Sequence, residues 1–350
     1  MLANDRRPGP NRSLRLGDAE VHTVATDDNV ELRLTRYKGG TKGPVILSPG
    51  YGTSTLALVT DTVDTNFPEY LFERGYDVWL FDYRSSPLLP SASSQYTADD
   101  IATHDYPAAV SKVKEVSGSD SVQVTAHCVG SMSFTMSLAA GLEDVRSAIC
   151  SQVAMHPVLL PFVRLKAKLH LATLLKTVGV KTMTSDYHPE KSADRILEKL
   201  MHLYPTKEKC DSEVCRRILF LYGEVFRHDQ LSDATHRQVP EMFGVANMTI
   251  FEHISQICNK GHVVDAQGEE TYLANVENMN IPITFIHGEL NNFFLPVGTE
   301  STYDLLRRRN GPDLYRRHLI PGYAHMDCFI GKDASRDVFP LLHEELERFN

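Results

Sequence analysis

The chain has 350 residues, 42% of them hydrophobic, and a formal net charge of −9, enough length for a sizeable core in one large α/β domain with an insertion or in two domains. The acidic balance and the lack of a basic block interleaved with aromatics exclude nucleic acid as a partner. Six scattered cysteines form no framework spacing and point to a reducing, cytoplasmic compartment.

In chain order, residues 1–18, rich in Arg, Pro, Gly and Asn, read as a mobile arm without the apolar centre of a secretory signal. Val21 to Tyr37 alternates around Asp27-Asp28-Asn29, which predicts two antiparallel strands. Val45-Ile46-Leu47 is a buried strand running into the glycine loop Ser48-Pro49-Gly50-Tyr51-Gly52. Phe67 to Arg74 is a short helix stopped by Gly75, Asp77 to Tyr83 a buried strand, and Ala98 to Val116 a helix. Ser121 to Thr125 alternates as a strand and meets Ala126-His127-Cys128-Val129-Gly130, after which Ser131 to Gly141 is a small-residue helix. Ala148-Ile149-Cys150 is the next strand. From about His156 to Asn278 the alternation stops in favour of helical and irregular sequence, and it returns with strand 282–286, helix 298–309, strand 315–320 and helix 334–349. Strands separated by helices imply a mostly parallel, doubly wound sheet built from 19–155 and 279–350, with 156–278 as a helical cap over the strand C-terminal ends. No stretch reaches about 18 uncharged apolar residues, so no transmembrane helix is expected. Val158 to Val180 is apolar all round with four basic residues; it reads as a lid helix, as an interfacial helix touching a membrane surface, or as an ordinary amphipathic helix packed on the sheet.

The strand–turn–helix around Cys128 has the form of a nucleophile elbow, with Ala in place of the first Gly and Cys in place of Ser. A thiol there sits at a helix N-terminus, where amide N–H groups favour thiolate. The N–H of Val129 and one from Tyr51 or Gly52 are the expected oxyanion donors. His325, on the loop Gly322-Tyr323-Ala324-His325-Met326-Asp327 after the last strand, is the expected general base. His127 reads as a packing neighbour, and Asp327 as a residue that fixes the histidine loop or caps the next helix. Cys210 and Cys215 lack a second ligand pair in sequence, and His156, His170, His188 and His202 match no metal spacing, so neither a metal nor a cofactor is expected.

On these residues the chain resembles the α/β-hydrolases, and among them the acid-lipase-like branch. Ala-His-Cys-Val-Gly-Ser is similar to that branch's Gly-His-Ser-x-Gly, residues 325–334 to its His-x-Asp-Phe-x-x-Gly-x-Asp-Ala segment, and Tyr70 to Arg84 to its fourth-strand region. The elbow also resembles that of the hydrolase-like region fused to some cholesterol-oxidase-type flavoproteins. The resemblance covers about 20–350 and implies an α/β-hydrolase fold acting on an apolar, carbonyl-bearing substrate. Two departures stand out: Cys for Ser, and Asn291 at the position where such enzymes carry Asp, with Glu289 as the alternative acid. A Cys-His-Asn site is self-consistent if Asn291 accepts from the histidine N–H, because a thiol needs less help to ionise than a hydroxyl. The implied chemistry is a thiol-acyl intermediate formed from an ester, thioester or lactone. Acyl transfer, elimination or cyclisation in the same cleft, and a non-catalytic binding module remain as alternatives.

Overall fold

A computed structural model describes residues 12–160, 176–177, 179–184 and 210–350. The strands in chain order are β1 (Glu20–Ala25), β2 (Glu31–Lys38), β3 (Pro44–Ser48), β4 (Asp77–Asp82), β5 (Val122–His127), β6 (Val145–Ser151), β7 (Thr182–Thr184), β8 (Val245–Asn247), β9 (Ile283–Gly288) and β10 (Tyr315–Ile320). Eight of them make one sheet in the order β1-β2-β4-β3-β5-β6-β9-β10, while β7 and β8 pair separately. β1–β2 and β2–β4 are antiparallel, and every other pair in the large sheet is parallel. β3, β4, β5 and β9 are buried along their whole length; β3, β4 and β9 accordingly read in sequence as largely apolar runs, whereas β5 also buries Gln123, Thr125 and His127.

Helices link the parallel strands, among them Phe67–Phe72, Tyr106–Ser117, Val129–Ala139 and Val297–Asn310. Val129–Ala139 is buried throughout, so its run of Gly, Ser, Thr and Ala lets it lie close to the sheet. Among the described residues between β6 and β9 stand the helices Glu213–Tyr222, Asp233–Met242 and Met248–Lys260.

Residues 12–15, expected within a mobile arm, are held in place. Arg12 makes a bidentate pair with the buried Glu69 at 2.6 Å, and the Arg15 backbone N–H donates to the same carboxylate. That carboxylate also closes the Asn66 capping box of the helix Phe67–Phe72, so residues 12–15 are tied to the core. The expected helix 334–349 is two pieces, Ala334–Asp337 and Phe339–Glu347, because Pro340 lacks the N–H that would continue it. Most of the stretch Val158 to Val180, residues 161–175 and 178, lies outside the described residues.

Candidate active site

β5 ends at His127, and the chain turns at Cys128 with φ 55° and ψ −132°, a conformation disfavoured for any residue with a Cβ. The helix Val129–Ala139 starts at the next residue. Only glycine fits at 130, since a Cβ there would stand 2.3 Å from the Pro49 carbonyl oxygen. The backbone N–H groups of Val129 and Tyr51 both donate toward the Cys128 sulfur. Gly52 does not share that role; it supplies the left-handed turn, at φ +70°, that brings Tyr51 into place. Two converging amides at the sulfur form the cradle that an oxyanion on an attacked carbonyl needs.

His325 is delivered from the loop after β10, held from two sides. The Ala324 N–H donates to Asp327 Oδ2 at 2.9 Å, and the Met326 N–H donates to the Val225 carbonyl at 2.8 Å. Asp327 thus fixes the histidine loop. The imidazole stacks near His127, ring centroids 4.7 Å apart, and meets Phe293 edge-on at 5.3 Å. His127 bonds Ser151 Oγ through Nδ1 at 3.2 Å and packs beside His325.

The Asn291 amide lies 3.0 Å from His325 Nδ1, through its nitrogen. Three other bonds fix that orientation. Asn291 Oδ1 accepts the backbone N–H groups of Phe293 and Phe294, and Asn291 Nδ2 donates to Gln152 Oε1 at 2.9 Å. Gln152 cannot turn around either, because its Oε1 already accepts the Gly288 N–H at 3.0 Å. Backbone donors therefore force Asn291 to present N–H to the ring, and His325 Nδ1 must accept. The neutral ring then carries its proton on Nε2, the opposite of the tautomer a general base uses. This corrects the expectation that Asn291 accepts from the histidine N–H: its oxygen is consumed by its own loop. Glu289 is no substitute, being exposed and accepting the Gly322 N–H.

The charge state agrees with this wiring. Burial pushes the Cys128 thiol up to about 12, outweighing the two amides that favour thiolate. Burial, with His127 and His287 nearby, holds His325 well below its ordinary value. An imidazolium would in addition set an N–H against the Asn291 amide N–H. Both shifts favour a neutral thiol and a neutral imidazole, against the thiolate that the helix N-terminus alone would favour. His325 Nε2 is buried and has no hydrogen-bond partner among the described residues, so the two groups face one cavity without touching.

That cavity is almost wholly apolar. Tyr222, Val225, Phe243, Phe251, Phe293 and Phe329 line it, with Cys128, His127 and His325 as its polar floor. Tyr51 turns its ring aside against Phe251 and donates its hydroxyl to the Asn247 carbonyl, so only its backbone serves the site. Gln152 escaped the sequence reading. Its one signal was position, a polar residue directly after β6 at the sheet edge where the neighbouring strands end.

No family model matches the chain. Lipase member K of Mus musculus is 24% identical over 94% of this chain and 87% of its own length. Triacylglycerol lipase 2 of Arabidopsis thaliana is 26% identical over 48% of this chain and 42% of its own. Among solved structures, a soluble variant of the Saccharomyces cerevisiae monoglyceride lipase superposes with a TM-score of 0.61 at 14% identity, covering 97% of this chain and 98% of that one. An α/β-hydrolase from Penicillium superposes with a TM-score of 0.60 at 15% identity, covering 95% and 99%. With its eight-stranded mostly parallel sheet and the elbow at Cys128, the chain has the α/β-hydrolase fold.

Proposed function

We propose that this chain acts on an ester or thioester of an apolar carboxylic acid, with Cys128 as the nucleophile. One observation carries the reading: the Cys128 sulfur sits at a strained turn, met by the Val129 and Tyr51 N–H groups, on the floor of an apolar cavity. The lipase names of its relatives agree with that substrate class. Sγ attacks the carbonyl carbon while the thiol proton passes to His325 Nε2, and the oxygen takes up the electron pair between the two amides. Collapse expels the alcohol or thiol, which recovers the proton from His325, and leaves an acyl thioester on Cys128. Water, or an alcohol or amine acceptor in an acyl transferase, then releases the acyl group.

The proton step requires a free Nε2, and so a rotation of the Asn291 amide that surrenders its bonds to Phe293, Phe294 and Gln152. At about 0.5–1.5 kcal/mol net per bond, that rotation slows the first step by about 10- to 1,000-fold relative to an aspartate. The test is a panel of activated esters and thioesters followed by intact-mass analysis. The reading expects a single acyl adduct on Cys128, lost in Cys128→Ala.

The orientation of Asn291 favours a second reading of the same cleft. With its proton on Nε2, His325 joins the Val129 and Tyr51 amides as a third donor around a bound carbonyl oxygen, an arrangement suited to elimination, cyclisation or retro-aldol chemistry without an acyl-enzyme. Turnover of a carbonyl substrate with no adduct on Cys128 at any time would select it.

A further inference from the structure

Away from the cleft, the region between β6 and β9 brings together four side chains that the sequence keeps apart. Cys210 and Cys215 flank the start of the helix Glu213–Tyr222, His228 opens a short turn after it, and His236 lies on the helix Asp233–Met242. One ligand atom from each falls within 4.8 Å of all the others. His236 Nε2 stands 3.4 Å from Cys210 Sγ and 3.0 Å from Cys215 Sγ. From this geometry we infer a Cys2His2 site for a tetrahedral zinc ion, formed by Cys210, Cys215, His228 and His236.

The dimensions fit. Zinc–sulfur bonds of about 2.3 Å and zinc–nitrogen bonds of about 2.0–2.1 Å put tetrahedral ligand atoms roughly 3.3–3.8 Å apart, so the cluster need close by no more than about 1 Å. Two sulfurs with two imidazoles select zinc over hard cations such as magnesium or calcium. Local donors steady the two sulfurs. The Ser212 N–H donates to Cys210 Sγ at 3.4 Å, and Cys215 sits in the first turn of a ten-residue helix capped by Ser212. Arg216 bonds the Cys210 carbonyl at 2.9 Å, which fixes the loop carrying that sulfur. Binding releases two protons, one from each thiol, and leaves a neutral centre of two thiolates and Zn²⁺.

The position gives the ion a structural task. It would clamp the helices Glu213–Tyr222 and Asp233–Met242 and the turn between them. From that segment, Tyr222 and Val225 line the cavity, the Val225 carbonyl holds the Met326 N–H, and Gln230 donates to the Gly322 carbonyl at 2.6 Å and accepts the Lys332 N–H at 2.9 Å. The clamp therefore backs both sides of the His325 loop without touching the reacting atoms.

The whole chain, purified without chelator from cells grown in zinc, is analysed by elemental mass spectrometry and then loaded with Co²⁺ after removal of the metal. The inference expects about one zinc per chain, and a cobalt form with the intense visible bands of tetrahedral geometry and a thiolate-to-cobalt charge-transfer band. Cys215→Ser and His236→Gln each lose the zinc and weaken that spectrum, while Cys258→Ser, a buried cysteine elsewhere, keeps both. Should the ligand variants fail to fold, the cobalt titration of the unaltered chain decides alone. A chain that takes up no zinc, shows no charge-transfer band with cobalt, or carries a Cys210–Cys215 disulfide from the cell overturns the site.

Discussion

The two arms of the cleft are built to different specifications. The elbow arm, Cys128 with Val129 and Tyr51, carries what the proposed acyl chemistry asks for: a strained turn, two amides aimed at the Cys128 sulfur, and small neighbours that let β3 and the helix Val129–Ala139 close around it. The histidine arm has the right residue in the right place and the hydrogen bond in the wrong sense. An aspartate at 291 would have two oxygens, one for the Phe293 and Phe294 N–H groups and one for the histidine N–H. An asparagine has one oxygen, and its own loop takes it. The difference teaches that catalytic competence depends on which atom of a side chain is left over after the local backbone has been satisfied.

The sharpest way to break this comparison is to remove the elbow arm. Cys128→Ala is expected to abolish the acyl adduct and to cut ester turnover on the order of 10⁴-fold, read by initial rates and intact mass. Turnover that survives the change moves the chemistry away from the sulfur. Next comes repair of the histidine arm. Asn291→Asp is expected to raise the pKa of His325 and to accelerate acylation by about 10- to 1,000-fold, with Gln152 Oε1 facing the new carboxylate and keeping the gain toward the lower end. A variant no faster than the parent would show that the tautomer does not limit the reaction.

The arms also separate in stability. Gly288, at the end of β9, lies so close to the histidine loop that a Cβ would meet the Ala324 carbonyl oxygen at 1.9 Å. Gly288→Ala should cost about 1–3 kcal/mol in thermal unfolding and displace His325. Alkylation of Cys128 by iodoacetamide should be unchanged in that variant, because the elbow does not depend on that loop. Stability also depends on pH. Burial lowers His127 to about 3 and His287 to about 4, and it holds His325 well below the ordinary value. The unfolded chain binds these protons first, so stability is full above about pH 6.5 and falls as the pH drops below it. The loss is on the order of 1.4 kcal/mol per pH unit for each buried imidazole that stays neutral. Denaturant midpoints from pH 7.5 to 5 measure it, and a midpoint that rises on acidification would mean these rings are charged in the fold.

Much of this was legible in the sequence where the determinants are neighbours in the chain. β3, β4 and β9 announce themselves as apolar runs because both faces are covered, and the elbow is a strand, a turn and a helix within twenty residues. Asn291 and His325 could be named, but not the sense of their hydrogen bond, which is set by Gln152, 139 residues away, and by the Gly288 N–H that holds it. The Asn291 turn onto Phe293 and Phe294 is local, and an asparagine two residues before a tight return is a readable sign that its oxygen is spoken for. The cluster at Cys210 was not legible for the opposite reason. Its cysteine spacing is visible, but the completing histidines come from another turn and another helix, with a separation no spacing rule covers.

The central claim is that backbone amides, acting through Asn291 and Gln152, hold neutral His325 with its proton on Nε2. Long-range ¹H–¹⁵N correlation spectra of the histidine rings at pH 7.5, assigned with His325→Gln, report it directly. The account predicts a protonated Nε2 and an unprotonated, hydrogen-bonded Nδ1 for His325, reversed in Asn291→Asp. A proton on Nδ1 in the unaltered protein would contradict it.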